Sequence, residues 1–274
     1  MNPEYGQKQI NRLTILSGIL FFTLIFSCKN QTNNQDEIKT ESNTDTIISV
    51  NQNIPDSIRE QQIEKLAGKG DYKNAIKQID QLISKDSANP AWLFMKADAL
   101  EKTGDTAQSI SYYQYAIDVA GKFTEASARL ANLYAEMGNN NALAICDALL
   151  KDPTAISLRS NILFIKGIYF LRAGQPAKGL NMFDQIIRED YTFLDAYLEK
   201  GIYYFDQKNY TEARKVFEKS TSVKNSFADG YYWVAKCDEN MNNKPEAIDN
   251  YKRSIALDPG FKEAREALAR LQSN

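Results

Sequence analysis

The sequence of 274 residues has no histidine, only 7 prolines, 13 glycines and 3 cysteines, and a formal net charge of −2. Without histidine the chain lacks the commonest general base, the Ser-His and Cys-His nucleophile pairs, and histidine-ligated metal sites. A net charge near zero provides no basic footprint for nucleic acid. We therefore expect a non-enzymatic protein with no cofactor, no metal site and no nucleic-acid partner.

Residues that interrupt helices are scarce, and no alternating or continuous run of Val, Ile and Thr indicates a buried sheet. Hydrophobic residues make up 43% of the chain and charged residues 25%, a balance that is ordinary for a globular protein. The composition therefore predicts an all-α protein.

The N-terminal segment is typical of a secretory signal. Lys8 and Arg12 precede an uncharged run of 14 residues from Leu13 to Phe26. A membrane-spanning helix needs about 20 apolar residues, so this run is too short to span a bilayer and matches the apolar region of a signal peptide.

The run ends at Ile25-Phe26-Ser27-Cys28, which resembles a bacterial lipobox, although Phe26 is bulkier than the usual residue. The resemblance implies a signal peptide over residues 1–27 and lipidation of Cys28, which would hold the protein on a membrane. An ordinary cleaved signal or an uncleaved anchor stays open. Lys29 stands where an aspartate would favour the inner membrane in Gram-negative lipoproteins. That favours the outer membrane of a bacterial envelope, with the exposed face undetermined.

Residues 28–55 are rich in Asn, Gln, Thr, Ser, Asp and Glu, with almost no aromatic residues. Such a stretch buries too little apolar surface to offset its ordering entropy, so we predict a disordered tether. A flexible chain of that length would separate membrane and folded body by about 25–30 Å on average.

Residues 56–272 repeat with a period close to 34. Turn signals occur at Gly70, Gly104, Gly138 and Gly174, and the period continues at Lys208 and Asn242. Five residues after most turns comes a small side chain, and four residues later a large or soft one. Both lie on one helical face. The pairs are Ala75 and Ile79, Ser109 and Tyr113, Ala142 and Cys146, Gly179 and Phe183, Ala213 and Phe217, Ala247 and Tyr251.

This pattern resembles the tetratricopeptide repeat, whose 34-residue signature is W-x₂-L-G-x₂-Y…A-x₃-F…P. The fifth unit fits best, with Tyr197, Gly201, Tyr204, Ala213 and Phe217. The third unit is irregular, being short in its second helix and followed by a longer connection. The resemblance implies an all-α fold, an α-solenoid of about six helical hairpins with a C-terminal capping helix over Phe261–Leu271.

In that family the first helices of the repeats line a concave groove that holds a peptide or a partner's helix. Carried onto this chain, the resemblance predicts an envelope lipoprotein that acts as a protein-interaction scaffold, with a homodimer left open. The predicted groove residues are Phe94, Asp98, Asn132, Phe164, Ile168, Leu171, Arg172, Leu198, Ile202, Phe205, Tyr232 and Lys236.

Two alternatives remain open at this stage. The six apolar groove residues of units four and five could instead pack against neighbouring repeats, while the richness in aromatics leaves a glycan-binding lipoprotein as a second function.

Cys146 and Cys237 lie about three repeats apart. Non-neighbouring units of a repeat array do not touch, so we predict two small buried hydrophobic residues and no disulfide.

Overall fold

The computed structural model describes residues 55–273. Cys28, the predicted signal peptide and all of the predicted tether except Pro55 lie outside the described residues, so these assignments stay predictions. Residues 55–273 form helices and no strand, which confirms the all-α prediction for this part of the chain. The α-helices are α1 Asp56–Gly68, α2 Tyr72–Ile83, α3 Pro90–Thr103, α4 Thr106–Ala120, α5 Thr124–Glu136, α6 Asn141–Lys151, α7 Arg159–Arg172, α8 Pro176–Glu189, α9 Leu194–Asp206, α10 Tyr210–Val223, α11 Ala228–Asn240, α12 Lys244–Leu257 and α13 Lys262–Ser273.

The described residues divide into two compact units, the first up to Arg129 and the second from Leu130 onward. In the first unit α1 packs on α2, α2 on α3, and α3 on α4. In the second unit the hairpins α7–α8, α9–α10 and α11–α12 each pack internally, and every second helix also contacts the first helix of the next hairpin. The last helix, α13, packs on α12 and buries Ala264 and Ala267, as expected for the predicted capping helix.

The repeated Gly-Asp dipeptide combines a helix end with a helix start. Gly104 ends α3 with φ 84°, a left-handed conformation that glycine adopts without steric cost. Asp105 follows, and its carboxylate accepts a hydrogen bond from the Gln108 backbone N–H at 3.1 Å, which caps α4. Asp71 caps α2 in the same way. The dipeptide therefore explains why the hairpin turns recur in the sequence.

Two later turns reach the same conformation without glycine. Lys208 has φ 58° and Asn242 has φ 63°. Asparagine tolerates this region better than other non-glycine residues, because its short polar side chain can form local hydrogen bonds. Lysine has no such compensation for the steric conflict of its Cβ. The predicted turn positions are thus confirmed, with local strain at Lys208.

Glycine on a first helix makes room for an aromatic ring from the second helix. A Cβ built on Gly201 would stand 2.4 Å from Cε1 of Phe217, and one on Gly167 would stand 2.5 Å from Cε1 of Phe183. Both rings are fully buried. The large residue predicted on each of these second helices is therefore confirmed as a packing residue. Its closest neighbour, however, is the glycine of the first helix.

The irregular third unit and the cysteines agree with the sequence analysis. Helix α6 has only 11 residues, and a 3₁₀ helix over Pro153–Leu158 forms the longer connection that follows it. Cys146 and Cys237 are free and buried, and burial raises the pKa of each thiol to about 12. The prediction of two small interior residues is confirmed.

Candidate functional site

The predicted groove positions do not all meet water. Several of them are buried, namely Phe94, Asp98, Ile168, Leu198 and Tyr232. The expectation of exposure is wrong at these positions, which in this structure offer a partner almost no surface.

Ring packing and ion pairing explain much of this burial. The Phe94 ring lies 5.5 Å from that of Tyr113 and 5.2 Å from that of Phe123. The Tyr232 ring lies 4.8 Å from that of Phe261. Leu198 belongs to the buried cluster that runs through α9 to α13. At these three positions the alternative of packing against neighbouring repeats holds.

The remaining apolar groove positions are half-buried. Leu171, in the last turn of α7, packs over Gly179, where an added Cβ would lie 2.9 Å from Cδ2 of Leu171. Ile202 and Phe205 pack on the edge of the same buried cluster and keep part of their surface exposed. Phe164 differs, because its ring contacts those of Phe183 and Phe193, both at 5.6 Å. Leu171 on α7 and Ile202 and Phe205 on α9 are thus partly exposed apolar side chains at lining positions, and we call these three residues the apolar strip.

The polar groove positions are also placed. Asn132 is half-buried on α5. Arg172 donates two hydrogen bonds to Oε2 of Glu136, from Nε at 3.0 Å and from one terminal nitrogen at 2.9 Å. The Lys236 ammonium lies over three aromatic rings, those of Trp233 at 4.9 Å, Phe205 at 5.2 Å and Tyr232 at 5.7 Å. The Phe205 end of the apolar strip is therefore bordered by a lysine held on aromatic faces.

A buried carboxylate lies beside the apolar strip. Glu199 on α9 is 7% exposed and makes no hydrogen bond or ion pair within the described residues. Burial, with the Glu136 carboxylate adding to it, raises its pKa to about 8, while the charge of Arg172 acts in the opposite direction. A glutamate in this setting has too few partners for its charge.

Further carboxylates adjoin Glu199. Burial and the neighbouring Asp229 raise the pKa of Asp195 to about 6, and burial raises the pKa of Asp206. Asp195 and Asp206 both act electrostatically on Glu199. We call this set the acidic cluster: Glu136, Asp195, Glu199, Asp206 and Asp229.

The first unit contains a charged group of a different kind. A terminal nitrogen of Arg129 lies 3.4 Å from Oδ1 of Asp98, and another lies 3.9 Å from Oε1 of Glu101. The Tyr113 hydroxyl donates a hydrogen bond to Oε2 of Glu101 at 3.0 Å. Burial raises the pKa of Glu101 and of Tyr113. Here an internal cation faces the carboxylates.

The acidic cluster was missed by sequence reasoning, although a signal for it exists. Asp195, Leu198, Ile202 and Phe205 are spaced by 3, 4 and 3 residues, so they share one helical face. Asp229 occupies the place equivalent to Asp195, one period of 34 residues later. Recurrence of an acid at this place on the lining face was the available clue.

Other surfaces of the described residues are less suitable. An open depression of about 510 Å³ lies among α10, α11 and α12. Its charged side chains pair with one another, Arg214 with Glu218 at 2.8 Å and Arg253 with Asp249 at 3.0 Å.

Within residues 55–273 no His, Cys, Asp and Glu side chains are grouped as metal ligands. In the same range no helix has both the length and the apolar character to cross a bilayer.

Comparison with known proteins identifies the repeat. The family model described as "Tetratricopeptide repeat" matches residues 62–122 and 166–225. Both stretches consist of helices of the hairpins described above. No curated protein sequence matches this chain.

Solved structures share the fold at low sequence identity. A tetratricopeptide repeat protein from Parabacteroides merdae has a TM-score of 0.64 at 16% identity, over 80% of this chain and 84% of that one. PilW, a type IV pilus biogenesis factor, has a TM-score of 0.61 at 18% identity, over 77% and 97% of the two chains. Cut9, in its hetero-tetramer with Hcn1, has a TM-score of 0.53 at 15% identity, over 75% and 41%. These likenesses show the fold alone.

Proposed function

We propose, from the premise that this chain belongs to the tetratricopeptide repeat family, that it is a non-catalytic scaffold that binds a segment of a partner protein. The binding surface is the lining face of α7 and α9 in the second unit. Proteins of this fold assemble with others, as the complex of Cut9 with Hcn1 illustrates. We thus propose both the scaffold role and the position of its binding face.

The observation that carries the proposal is the half-exposed apolar strip. Leu171 and Phe205 lie at corresponding lining positions of consecutive hairpins, 34 residues apart, and Ile202 lies one turn before Phe205 on the same helix. Charged side chains border them. Apolar side chains that adjoin one another at a surface and are rimmed by polar groups are typical of interaction sites. Two further lining residues on the same helices, Ile168 and Leu198, are buried.

The test is crosslinking of the full chain in its native membrane fraction, followed by identification of the crosslinked protein. The double variant Ile202→Ser/Phe205→Ser should lose that protein, because it removes apolar contact area while keeping the helices. Substitution of Phe164 is unsuitable, since its ring packs on two others in the repeat interior.

A matched control is Ile156→Ser, which makes the same change at a side chain that is 72% exposed and away from the strip. This variant should retain the crosslinked protein. Equal capture by the wild type and by the double variant, with unchanged circular dichroism, would count against the α7–α9 face as the binding surface.

The proposal extends to location. The charged start, the apolar run and Ile25-Phe26-Ser27-Cys28 support an envelope lipoprotein that Cys28 anchors to a membrane, with the outer membrane favoured by Lys29. Two or more acyl chains would hold such a protein stably on a bilayer. Labelling with an alkyne fatty acid should mark the wild type and leave Cys28→Ser unmarked. Equal labelling of both would contradict lipidation at Cys28. The glycan-binding alternative stays a prediction without a contact in the described residues that favours it.

A further inference from the structure

Glu136, Asp195 and Asp206 act on Glu199 with negative charge, and Arg172 is the cation that acts on it within the described residues. These carboxyl groups belong to the lining face beside the apolar strip. A ligand that supplies positive charge would therefore complement the site.

The internal cations are already engaged. Arg172 directs two N–H groups at a single oxygen of Glu136, so its charge is committed to a carboxylate other than Glu199. The Lys236 ammonium lies over the rings of Phe205 and Trp233. Neither cation is within ion-pair distance of the Glu199 carboxylate in the described residues.

The burial and surroundings of Glu199 also point to a ligand. It is more than nine-tenths buried, has no hydrogen-bond partner within the described residues, and is surrounded by Glu136 from α5, Arg172 from α7 and Asp195 and Asp206 from its own helix. Buried charges in folded proteins are normally paired. An unpaired carboxylate at the edge of a surface strip is therefore suited to a partner's cation.

We propose that the partner segment inserts a lysine or arginine side chain into the acidic cluster, with Glu199 as its carboxylate partner and the strip of Leu171, Ile202 and Phe205 receiving the apolar residues beside it. This inference rests on the proposed function and specifies the chemistry of the partner. The partner is a protein segment in which a basic residue is flanked by apolar ones. A charge-assisted hydrogen bond to Glu199 supplies the selectivity for the basic residue.

The ionisation of Glu199 makes binding pH-dependent. In the free protein burial holds the pKa of Glu199 at about 8, so the carboxyl group is mostly protonated below that pH. A bound ammonium or guanidinium favours the ionised form, so binding releases a proton. Affinity should rise from pH 6 to pH 9 and level off above the pKa of the free carboxyl.

The experiment measures binding of short synthetic peptides to the full chain. The peptides come in matched sets that share apolar flanks and differ only in a central lysine, arginine, norleucine or glutamate. We expect lysine and arginine peptides to bind about tenfold tighter than the norleucine peptide at pH 8.5, and the glutamate peptide to bind weakest. We also expect release of a proton on binding, visible as a dependence of the calorimetric heat on the buffer.

The variants are Glu199→Gln, which is isosteric, and Asp195→Asn as a second change in the same cluster. Glu199→Gln should abolish the preference for a basic residue and the proton release, while the norleucine peptide binds as before. Glu212→Gln is the matched control, because Glu212 lies on α10 and pairs with Lys215. It should change nothing.

The outcomes separate the two proposals. If no peptide set binds, the proposed function falls and this inference falls with it. If peptides bind and Ile202→Ser/Phe205→Ser weakens them, yet lysine and norleucine peptides bind alike, the inference alone is overturned. Preference for the basic peptides that persists unchanged in Glu199→Gln and in Asp195→Asn also overturns it.

Discussion

The two units of the chain place opposite charges at the same position of the repeat. Arg129 of the first unit stands nine residues before the turn at Gly138, and Glu199 of the second unit stands nine residues before the turn at Lys208. Arg129 faces the carboxylates of Asp98 and Glu101. Glu199 faces further acids instead. An arginine within ion-pair distance makes the first group a part of the fold, whereas no cation of the described residues lies within that distance of Glu199, which leaves the second group suited to binding.

The largest effect is expected from Arg129→Met. Removal of the arginine leaves the buried carboxylates of Asp98 and Glu101 without their ion-pair partner, which should cost about 3–5 kcal/mol of unfolding free energy at pH 7. Urea unfolding of the full chain measures this cost. Lys215→Met removes an exposed pair and should cost no more than about 0.5 kcal/mol. Addition of Asp98→Asn and Glu101→Gln to Arg129→Met should recover most of the loss, and no recovery would refute the charge explanation.

A smaller effect of opposite sign is expected from Glu199→Gln. The pKa of Glu199 is about 8 in the folded chain against an ordinary value of 4.5, so the native state binds the extra proton between these values. Stability is thus lost as the pH rises from about 4.5 to about 8. The variant removes this loss and should be more stable than the wild type by a few kcal/mol at pH 9, and nearly equal to it at pH 4. Melting temperatures that differ equally at both pH values would contradict this account.

The glycines of the two units sharpen the comparison in packing. Gly201→Ala in the second unit places a methyl group against the Phe217 ring and should cost about 1–3 kcal/mol. Gly68 in the first unit has no atom within 4 Å of a built Cβ, so Gly68→Ala should be neutral or slightly stabilising. Thermal unfolding of both variants tests this pair. A neutral Gly201→Ala would show that the ring shifts without cost.

The smallest effect concerns the turns. Gly104 of the first unit and Lys208 of the second have the same left-handed backbone. Lys208→Gly should therefore stabilise the chain by about 1 kcal/mol, whereas Gly104→Ala should destabilise it by a similar amount. Asn242→Gly should gain less than Lys208→Gly, because asparagine tolerates this backbone better. Chemical unfolding at one pH suffices for the measurement, and equal gains at Lys208 and Asn242 would contradict the steric argument.

Most of the fold, and a smaller part of the candidate site, could be predicted from the sequence. The turns, the hairpin pairs and the capping helix followed from short-range patterns, and the structure confirms them. The repeat pattern also predicted which residues occupy the lining positions, but it did not predict which of their side chains are exposed. Phe94 and Tyr232 sit where the pattern places a groove residue, yet rings from other helices cover them. Position on a helix face is local information, whereas exposure depends on residues far away in the chain.

The charge of the site was the least accessible feature. Glu199 looks like any surface glutamate in the sequence, and no spacing within its own helix indicates which cation lies near it. In the fold Arg172 is taken by Glu136, which lies 36 residues before it. Which of two carboxylates an arginine selects is decided by distances between helices, which no spacing within a helix encodes.

The sequence by itself determined the helices, the period, the turns and the family, because each depends on a backbone preference or a spacing within a few residues. Tertiary structure alone decided which lining side chains stay partly exposed and which carboxylate goes without a partner. Burial and electrostatic environment are sums over neighbours from several helices. Those neighbours exist only once the hairpins have packed.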